Sequence, residues 1–265
     1  MAPRSGEPGS APERRFFLAA AEGDAFELAP GEREHALRVL RLRAGDRLIG
    51  VNGRGEAWPL EVREIGRDRL VLGAAGPPRR EPRPGEAGAP LPWIEVALPW
   101  PKGGRVEEML DRLTQLGAAA LGPLLCERAG PHSGELPPGR RERLERVLRE
   151  ACKQSGRAWL PVLRDADASA GSGPLEAVLL DPAADRGLAD WARERRECGA
   201  TRWTAEHPLL VLVGPEGGFT ADERARFAAR GASPVRIGPH VLRVETAAEA
   251  ATAVLAAELL SAPRS

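Results

Sequence analysis

At 265 residues, 42% of them apolar and 29% charged, the chain is long enough for one large domain or two small ones and has the composition of a folded, soluble protein. Its hydrophobic runs are all broken by charge, Gly or Pro, which excludes a membrane-spanning helix, and the first dozen residues lack the apolar stretch of a signal peptide. Lys plus Arg and Asp plus Glu balance at 38 each, so net charge gives no argument for nucleic acid, and only local clusters of cations can. Residues 1–13, rich in Pro, Gly and Ser, read as a disordered tail. Residues 14–75 read as a small β-rich domain: strands over 16–18, 46–51, 58–62 and 69–72, a helical stretch over 32–40, and a turn at Asn52-Gly53. Short strands on tight turns imply a small barrel. Residues 76–92 repeat Pro and Gly without apolar periodicity and read as a linker.

From residue 93 to 265 the texture changes. Apolar runs at 94–98, 121–125, 178–181, 209–213 and 235–237 alternate with helical stretches at 106–116, 140–152, 190–198 and 222–230. That alternation implies a mostly parallel α/β sheet, whose ligands bind at the carboxyl ends of the strands. Cys126, Cys152 and Cys198 are widely spaced with no CxxC pair, which points to a reduced, cytoplasmic protein without a metal site.

Two segments carry the chemistry. In the first, Leu210-Val211-Leu212-Val213 runs into Gly214-Pro215-Glu216-Gly217-Gly218-Phe219, and Thr220 heads a helix as N-cap with Glu223 as its capping-box partner. Two successive glycines permit positive φ and a close approach of backbone to ligand. A tight turn with no ligand fits the same pattern; a P-loop or a GxGxxG dinucleotide turn does not. In the second, a strand ends at Ile237, Gly238-Pro239 turns the chain, and an Ala-rich helix over 245–260 closes the domain. One helix separates the two segments, so their turns are expected side by side at one sheet edge.

On these residues the chain resembles the SPOUT RNA methyltransferases and, within them, the RsmE family, which methylates N3 of a uridine in 16S ribosomal RNA. The stretch 214–223 is similar to that family's GPEGG-F-T-x-x-E loop. The stretch 238–247 is similar to its GxRxLRTETA signature, with His240 for the Arg and Val244 for the first Thr. Arg15-Phe16-Phe17, His35 with Val39-Leu40-Arg41 and Gly45-Asp46, the segment from Lys102 to Gly117, and Glu150-Ala151-Cys152-Lys153-Gln154-Ser155-Gly156-Arg157 extend the likeness over 14–260.

The resemblance implies a SPOUT α/β trefoil-knot domain with a parallel sheet, preceded by a PUA-like barrel that helps hold RNA. It also implies S-adenosyl-L-methionine (SAM) as cofactor, 16S ribosomal RNA or the small subunit as partner, a homodimer, and neither membrane nor metal. Its cofactor loops fall on Leu179 and Leu180; on Val213, Gly214, Glu216, Gly217 and Gly218; and on Ile237, Gly238, Val241, Leu242 and Val244. Ala250, Val254 and Leu255 of the last helix are available for dimer packing; the alternative is that this helix simply packs on its own sheet. Methylation at N3 needs the imide proton removed or the developing negative charge stabilised. Glu245 would be the base, with Arg243 or Arg128 beside the anionic ring or a phosphate. The plain alternatives are a carboxylate favoured at a helix start and solvated surface charge. Arg14, Arg15, Arg38, Arg41 and Arg43 would face phosphates, with Arg157 added by the resemblance; a solvated face is the alternative. A non-catalytic RNA-binding or ribosome-assembly factor on the same fold competes with the enzyme, favoured by His240 and Val244 and opposed by the intact glycine loop.

Overall fold

The computed structural model describes residues 14–23, 25–66, 69–101, 104–130, 133–134, 139–166, 173–199 and 202–260. The tail expected over 1–13, and Lys102 and Gly103 of the family-like segment, lie outside them. The chain forms two compact units. One takes the residues up to Arg83 together with Cys152–Leu160, and the other takes Pro84–Ala151 and the chain from Pro161 onward.

The first unit holds β1 (Arg15–Glu22), β2 (Ala25–Leu28), α1 (Glu32–Glu34) running into a π-turn over His35–Val39, β3 (Arg47–Val51), β4 (Glu56–Ile65), β5 (Leu70–Ala74) and β6 (Arg79–Arg80). The strand order β3-β1-β2-β5-β4, with β4 also pairing β3, closes a barrel, and β6 hangs on β4. Alternation along the strands sorts the side chains. Leu48 points inward with Phe16, Leu18, Leu60 and Val62. Ile49 and Val51 belong instead to a second cluster with Phe17 and Ala57, completed by Cys152 and Ala158 from far along the chain. That late segment is fixed by specific bonds. Lys153 Nζ lies 2.9 and 3.1 Å from the two carboxylate oxygens of Glu32. The Ala158 N–H donates to the Glu81 carboxylate at 2.6 Å, and Trp159 Nε1 donates to the Glu81 carbonyl at 2.8 Å. Gly55 has φ +91°, and a Cβ there would lie 2.6 Å from the Trp159 ring, so only glycine fits.

The second unit holds β7 (Ile94–Leu98), α2 (Arg105–Gln115), β8 (Ala120–Pro123), α3 (Arg140–Ser155, whose last turn passes into the first unit), β9 (Val162–Leu163), β10 (Ala177–Leu180), α4 (Leu188–Glu197), β11 (Leu209–Leu212), α5 (Ala221–Ala229), β12 (Ala232–Val235) and α6 (Val244–Leu259). Its six strands are all parallel in the order β12-β10-β11-β7-β8-β9. The chain lays β7, β8 and β9 side by side, jumps to β10, fills the gap with β11 and ends at the edge with β12. This is the parallel α/β sheet behind a small barrel that the sequence implies.

Three local expectations change. The stretch 76–92 is not a free linker: β6 pairs with β4 within it, Ala89 is buried, and Gly85 at φ +85° brings its backbone against Trp203. Its glycines and prolines set turns, which composition alone cannot tell from slack. The last strand covers 232–235 and not 235–237, because Gly231 at φ +106° turns the chain against Leu175 and starts the strand earlier. Pro234 disguised it, but β12 is an edge strand, where proline is tolerated. Leu255 of α6 is fully buried within its own unit, with Ala250 and Val254 half-buried. It packs inward because α6 lies along β7 and β11 between α2 and α4.

Candidate functional site

Strands β10, β11 and β12 run parallel and end at one edge of the sheet. β10 and β11 are apolar and buried, and β12 buries Ala232 and Val235, which fixes where each following loop emerges. The three loops and the start of α6 enclose one cleft. Leu180, Asp181 and Pro182 line it after β10; Val213, Gly214, Pro215, Glu216 and Gly218 after β11. Val235, Arg236, Ile237, Gly238, His240, Val241 and Leu242 complete it, with Val244 and Ala247 of α6.

The loop after β11 is held rigidly. The Thr220 hydroxyl accepts from the Glu223 N–H at 3.2 Å, and the Glu223 carboxylate accepts from the Thr220 N–H at 2.8 Å, so the expected capping box is present. The other Glu223 oxygen accepts the Glu127 N–H at 2.9 Å, which ties the loop after β8 to the same buried carboxylate. Arg128 follows and donates from Nη1 to the Gly217 carbonyl at 2.9 Å. Arg224 Nη1 donates to the Phe219 carbonyl at 2.9 Å, and Arg236 Nη1 to the Ala184 carbonyl at 3.0 Å, bracing the loops on either side.

The glycines do different work. Gly214 makes room for a neighbour, since a Cβ there would lie 3.0 Å from the Phe219 ring. Gly218 is required by its backbone, at φ +67°. Gly238 has neither reason: its φ is outside the left-handed region, and a Cβ there would meet no protein atom within 4 Å, although the residue lines the cleft. Around it the main-chain N–H groups of Gly238, Val241 and Leu242 make no hydrogen bond with any described residue. A cleft walled by apolar side chains, edged by uncommitted amides and open above a glycine fits a flat heteroaromatic ring such as adenine. Among the described residues there is no cluster of His, Cys, Asp and Glu able to hold a metal ion.

The sequence-named cofactor residues mostly converge here. Leu179 and Gly217 do not line the cleft: Leu179 is buried in the sheet core, and Gly217 lies under the Arg128 side chain. Pro182, Val235 and Arg236 were not foreseen as cleft residues, and only the strand-end position could have marked them; Ala247 joins them from the first turn of α6. Arg243 is the exposed N-cap of α6, outside the cleft lining, and makes no side-chain cap. Glu245, expected as a base, also stands outside that lining, with its carboxylate 3.1 Å from Arg105 Nη1. The basic residues of the barrel divide. Arg14, Arg41 and Arg43 are exposed, and Arg41 has the unusual φ of +50°. Arg38 pairs with Glu34 at 2.7 Å, and Arg15 donates to the Arg157 carbonyl at 3.4 Å. Burial pushes the Arg157 guanidinium below its ordinary pKa, against the raising effect of Cys152 and Glu81, which marks it as part of the barrel's packing.

The chain matches two family models, an RNA methyltransferase domain over residues 89–256 and an RNA methyltransferase PUA domain over 28–73. It is similar to the ribosomal RNA small subunit methyltransferase E of Synechocystis sp., with 31% identity over 88% of this chain and 73% of that one. The protein of the same name from Mycobacterium bovis is 30% identical over 82% and 80% of the two chains. A Legionella pneumophila methyltransferase solved with bound SAM superposes with a TM-score of 0.72 at 25% identity, over 92% of this chain and 97% of that one. The fold is thus the SPOUT trefoil-knot domain with a PUA-like barrel in front.

Proposed function

From the premise that this chain belongs to the RNA methyltransferase family that includes ribosomal RNA small subunit methyltransferase E, we propose that it methylates N3 of a uridine in 16S ribosomal RNA, with SAM as cofactor. The observation that carries this reading is the cleft, whose uncommitted amides and open space above Gly238 suit an adenine edge and face. SAM, when bound, supplies an electrophilic methyl group on a sulfonium. The loops after β10, β11 and β12 would hold it, and N3 of the uridine, on giving up its proton to water, would accept that methyl group.

The chain's own residues orient and stabilise. The loops after β10, β11 and β12 bind the cofactor. Arg128, clamped at the rim by Gly217, is positioned to offset negative charge on the pyrimidine. Exposed Arg243 is suited to a phosphate of the target strand. Glu245, bound to Arg105, anchors the first turn of α6 and holds the third loop in place. We assign a homodimer through the second unit and a cytoplasmic location on the family reading; among the described residues no helix is long and apolar enough to cross a membrane.

Titration calorimetry with SAM, followed by mass spectrometry of 16S nucleosides from a deletion strain, tests the proposal. Binding together with loss of one N3-methyluridine is expected. Absence of SAM binding would favour the non-catalytic RNA-binding reading, and an unchanged nucleoside profile would remove the uridine assignment. Light scattering of the purified chain tests the dimer, which a clean monomer at micromolar concentration would exclude.

A further inference from the structure

Strand β7 lies between β8 and β11 in the sheet, so the loops that follow β8 and β11 leave strands that do not pair with each other. The two loops are nevertheless joined, and at two points. In the loop after β8, the Glu127 N–H donates to a carboxylate oxygen of Glu223 at 2.9 Å. One residue on, Arg128 Nη1 donates to the Gly217 carbonyl at 2.9 Å. The stem of the same arginine lies over that glycine, since a Cβ on Gly217 would stand 3.4 Å from Arg128 Cβ and Cδ. A tight turn carries both contacts, closed by the Ala129 N–H donating to the Cys126 carbonyl at 3.0 Å.

Glu223 is the fixed member of this arrangement. It is 6% exposed, and each carboxylate oxygen accepts one backbone N–H: Oε1 that of Glu127, Oε2 that of Thr220 at 2.8 Å. The capping box needs only the second bond. The first does nothing for α5 and reaches across the end of β7 to a residue 96 positions earlier. Glutamine would cap the helix as well, but it has a single acceptor oxygen and could not hold both N–H groups. A carboxylate is therefore required by the bridge between the loops and not by the helix. Arg128, by contrast, is exposed, and its remaining guanidinium N–H groups make no bond with a described residue. A long exposed side chain keeps one position only where its base and its tip are both held. Glu223 holds the backbone beside Arg128, and Gly217, in the loop that Glu223 also caps, holds the tip.

We infer that Glu223 is a positioning residue for methyl transfer: by holding the Glu127 N–H it fixes Arg128 against the cofactor loop, with uncommitted donors left for the target pyrimidine. The inference rests on the reading of Arg128 as the group that offsets charge on that ring. It adds that the loop holding the cofactor and the arginine meeting the base form one rigid piece, tied by a single buried carboxylate. Glu223 itself takes no proton and touches no substrate. Donors that are already in place need no reorganisation as charge develops. Without the Glu127 bond Arg128 is present but unfixed, so the loss falls on kcat. Any loss of SAM affinity comes from the weakened cap, which Glu223 shares with Thr220.

The test sets Glu223→Ala and the milder Glu223→Gln beside Thr220→Ala, which breaks the cap but leaves the Glu127 bond. Three quantities are read on the full-length chain: amide hydrogen exchange across residues 126–129, SAM affinity by calorimetry, and kcat at saturating SAM on 16S ribosomal RNA from the deletion strain. Glu223→Ala should speed exchange over 126–129 and lower kcat roughly tenfold to a hundredfold. Glu223→Gln, which keeps the volume and one acceptor, should fall between it and the parent, and it carries the same comparison where the alanine variant does not fold. SAM affinity should shift alike in Glu223→Ala and Thr220→Ala. Arg128→Ala/Glu223→Ala should be no slower than Arg128→Ala alone, because Glu223 acts through Arg128. Losses that multiply in the double variant would overturn that role. So would an equal fall of kcat in Thr220→Ala, which would assign the effect to the cap, or parental exchange over 126–129 in both Glu223 variants. A parent that transfers no methyl group, with exchange still faster in Glu223→Ala, would keep the tether, remove its part in catalysis and sink the methyltransferase reading.

Discussion

The cleft proposed for the cofactor and the surface of the barrel are built from different parts of the chain. The cleft presents main chain, with loop amides, carbonyls and a bare Cα at Gly238, between buried strands whose last residues, Leu180 and Val235, also line it. The barrel surface presents side chains instead, among them the exposed guanidinium groups of Arg14, Arg41, Arg43 and Arg47. A main-chain site tolerates change in most side chains around it and fails at glycine. A side-chain site tolerates any single loss and weakens in proportion to the charge removed. The two regions should accordingly answer mutation differently.

The sharpest way to break this contrast is at the glycines. Gly238→Val should lower SAM affinity at least a hundredfold with the unfolding midpoint unchanged, because the new side chain meets only the cleft. Gly218→Val should also lose SAM, but at an added cost of about 1–3 kcal/mol in stability, since valine must adopt φ +67°. Calorimetry and urea denaturation on both variants separate the two effects. Normal affinity in folded Gly238→Val would mean that the ring does not lie there.

The barrel supplies the opposite case, in which side chains hold structure. Lys153 and Glu32 are 11% and 10% exposed and face one another, and Glu32 also accepts the Phe17 N–H at 3.4 Å. Lys153→Met leaves a buried carboxylate without its cation and should cost about 3–5 kcal/mol. Lys153→Met/Glu32→Gln, which removes both charges, should recover part of it. A loss below about 1 kcal/mol in the single variant would show that water reaches the carboxylate.

This division also explains what was legible in the sequence. The glycine turns, the capping box at Thr220 and the apolar strands could be read because local sequence decides local backbone, and the topology then carried three loops to one edge. What stayed hidden depends on partners distant in the chain. Nothing near Cys152 or Ala158 says that they cover Phe17 and Ile49 of the barrel. Nothing near Glu245 announces Arg105, 140 residues earlier. Arg15, Arg38 and Arg43 look alike in sequence, and only their neighbours show which are committed. The edge proline of β12 misled for the opposite reason, since its local signal was outweighed by pairing with β10.

A smaller effect is expected where the two styles meet. The Arg105–Glu245 pair fixes the first turn of α6 by side chains and so holds a loop that acts through main chain. Glu245→Gln should raise the SAM dissociation constant about three- to tenfold with kcat nearly unchanged, the signature of a positioning residue. Arg105→Glu/Glu245→Arg should restore part of the affinity. A collapse of kcat at unaltered affinity would return Glu245 to the role of base.

The smallest expected change tests whether a side chain can be added usefully to the main-chain site. Val244 is the first residue of α6, 8% exposed, and lines the cleft. Val244→Thr keeps the shape but exchanges a methyl for a hydroxyl, so its effect depends on where that hydroxyl points. Facing the cleft, it can hydrogen-bond a bound ligand and strengthen SAM binding by up to about 1 kcal/mol, roughly fivefold. Facing the helix packing, it would be buried without a partner and would lower stability by about 1–3 kcal/mol while leaving affinity alone. Calorimetry and denaturation on this one variant give opposite patterns for the two orientations. The cleft lining predicts the first: tighter SAM binding at unchanged stability. A destabilised protein with parental affinity would place the Val244 side chain in the core of the unit and leave the third loop binding through its backbone alone.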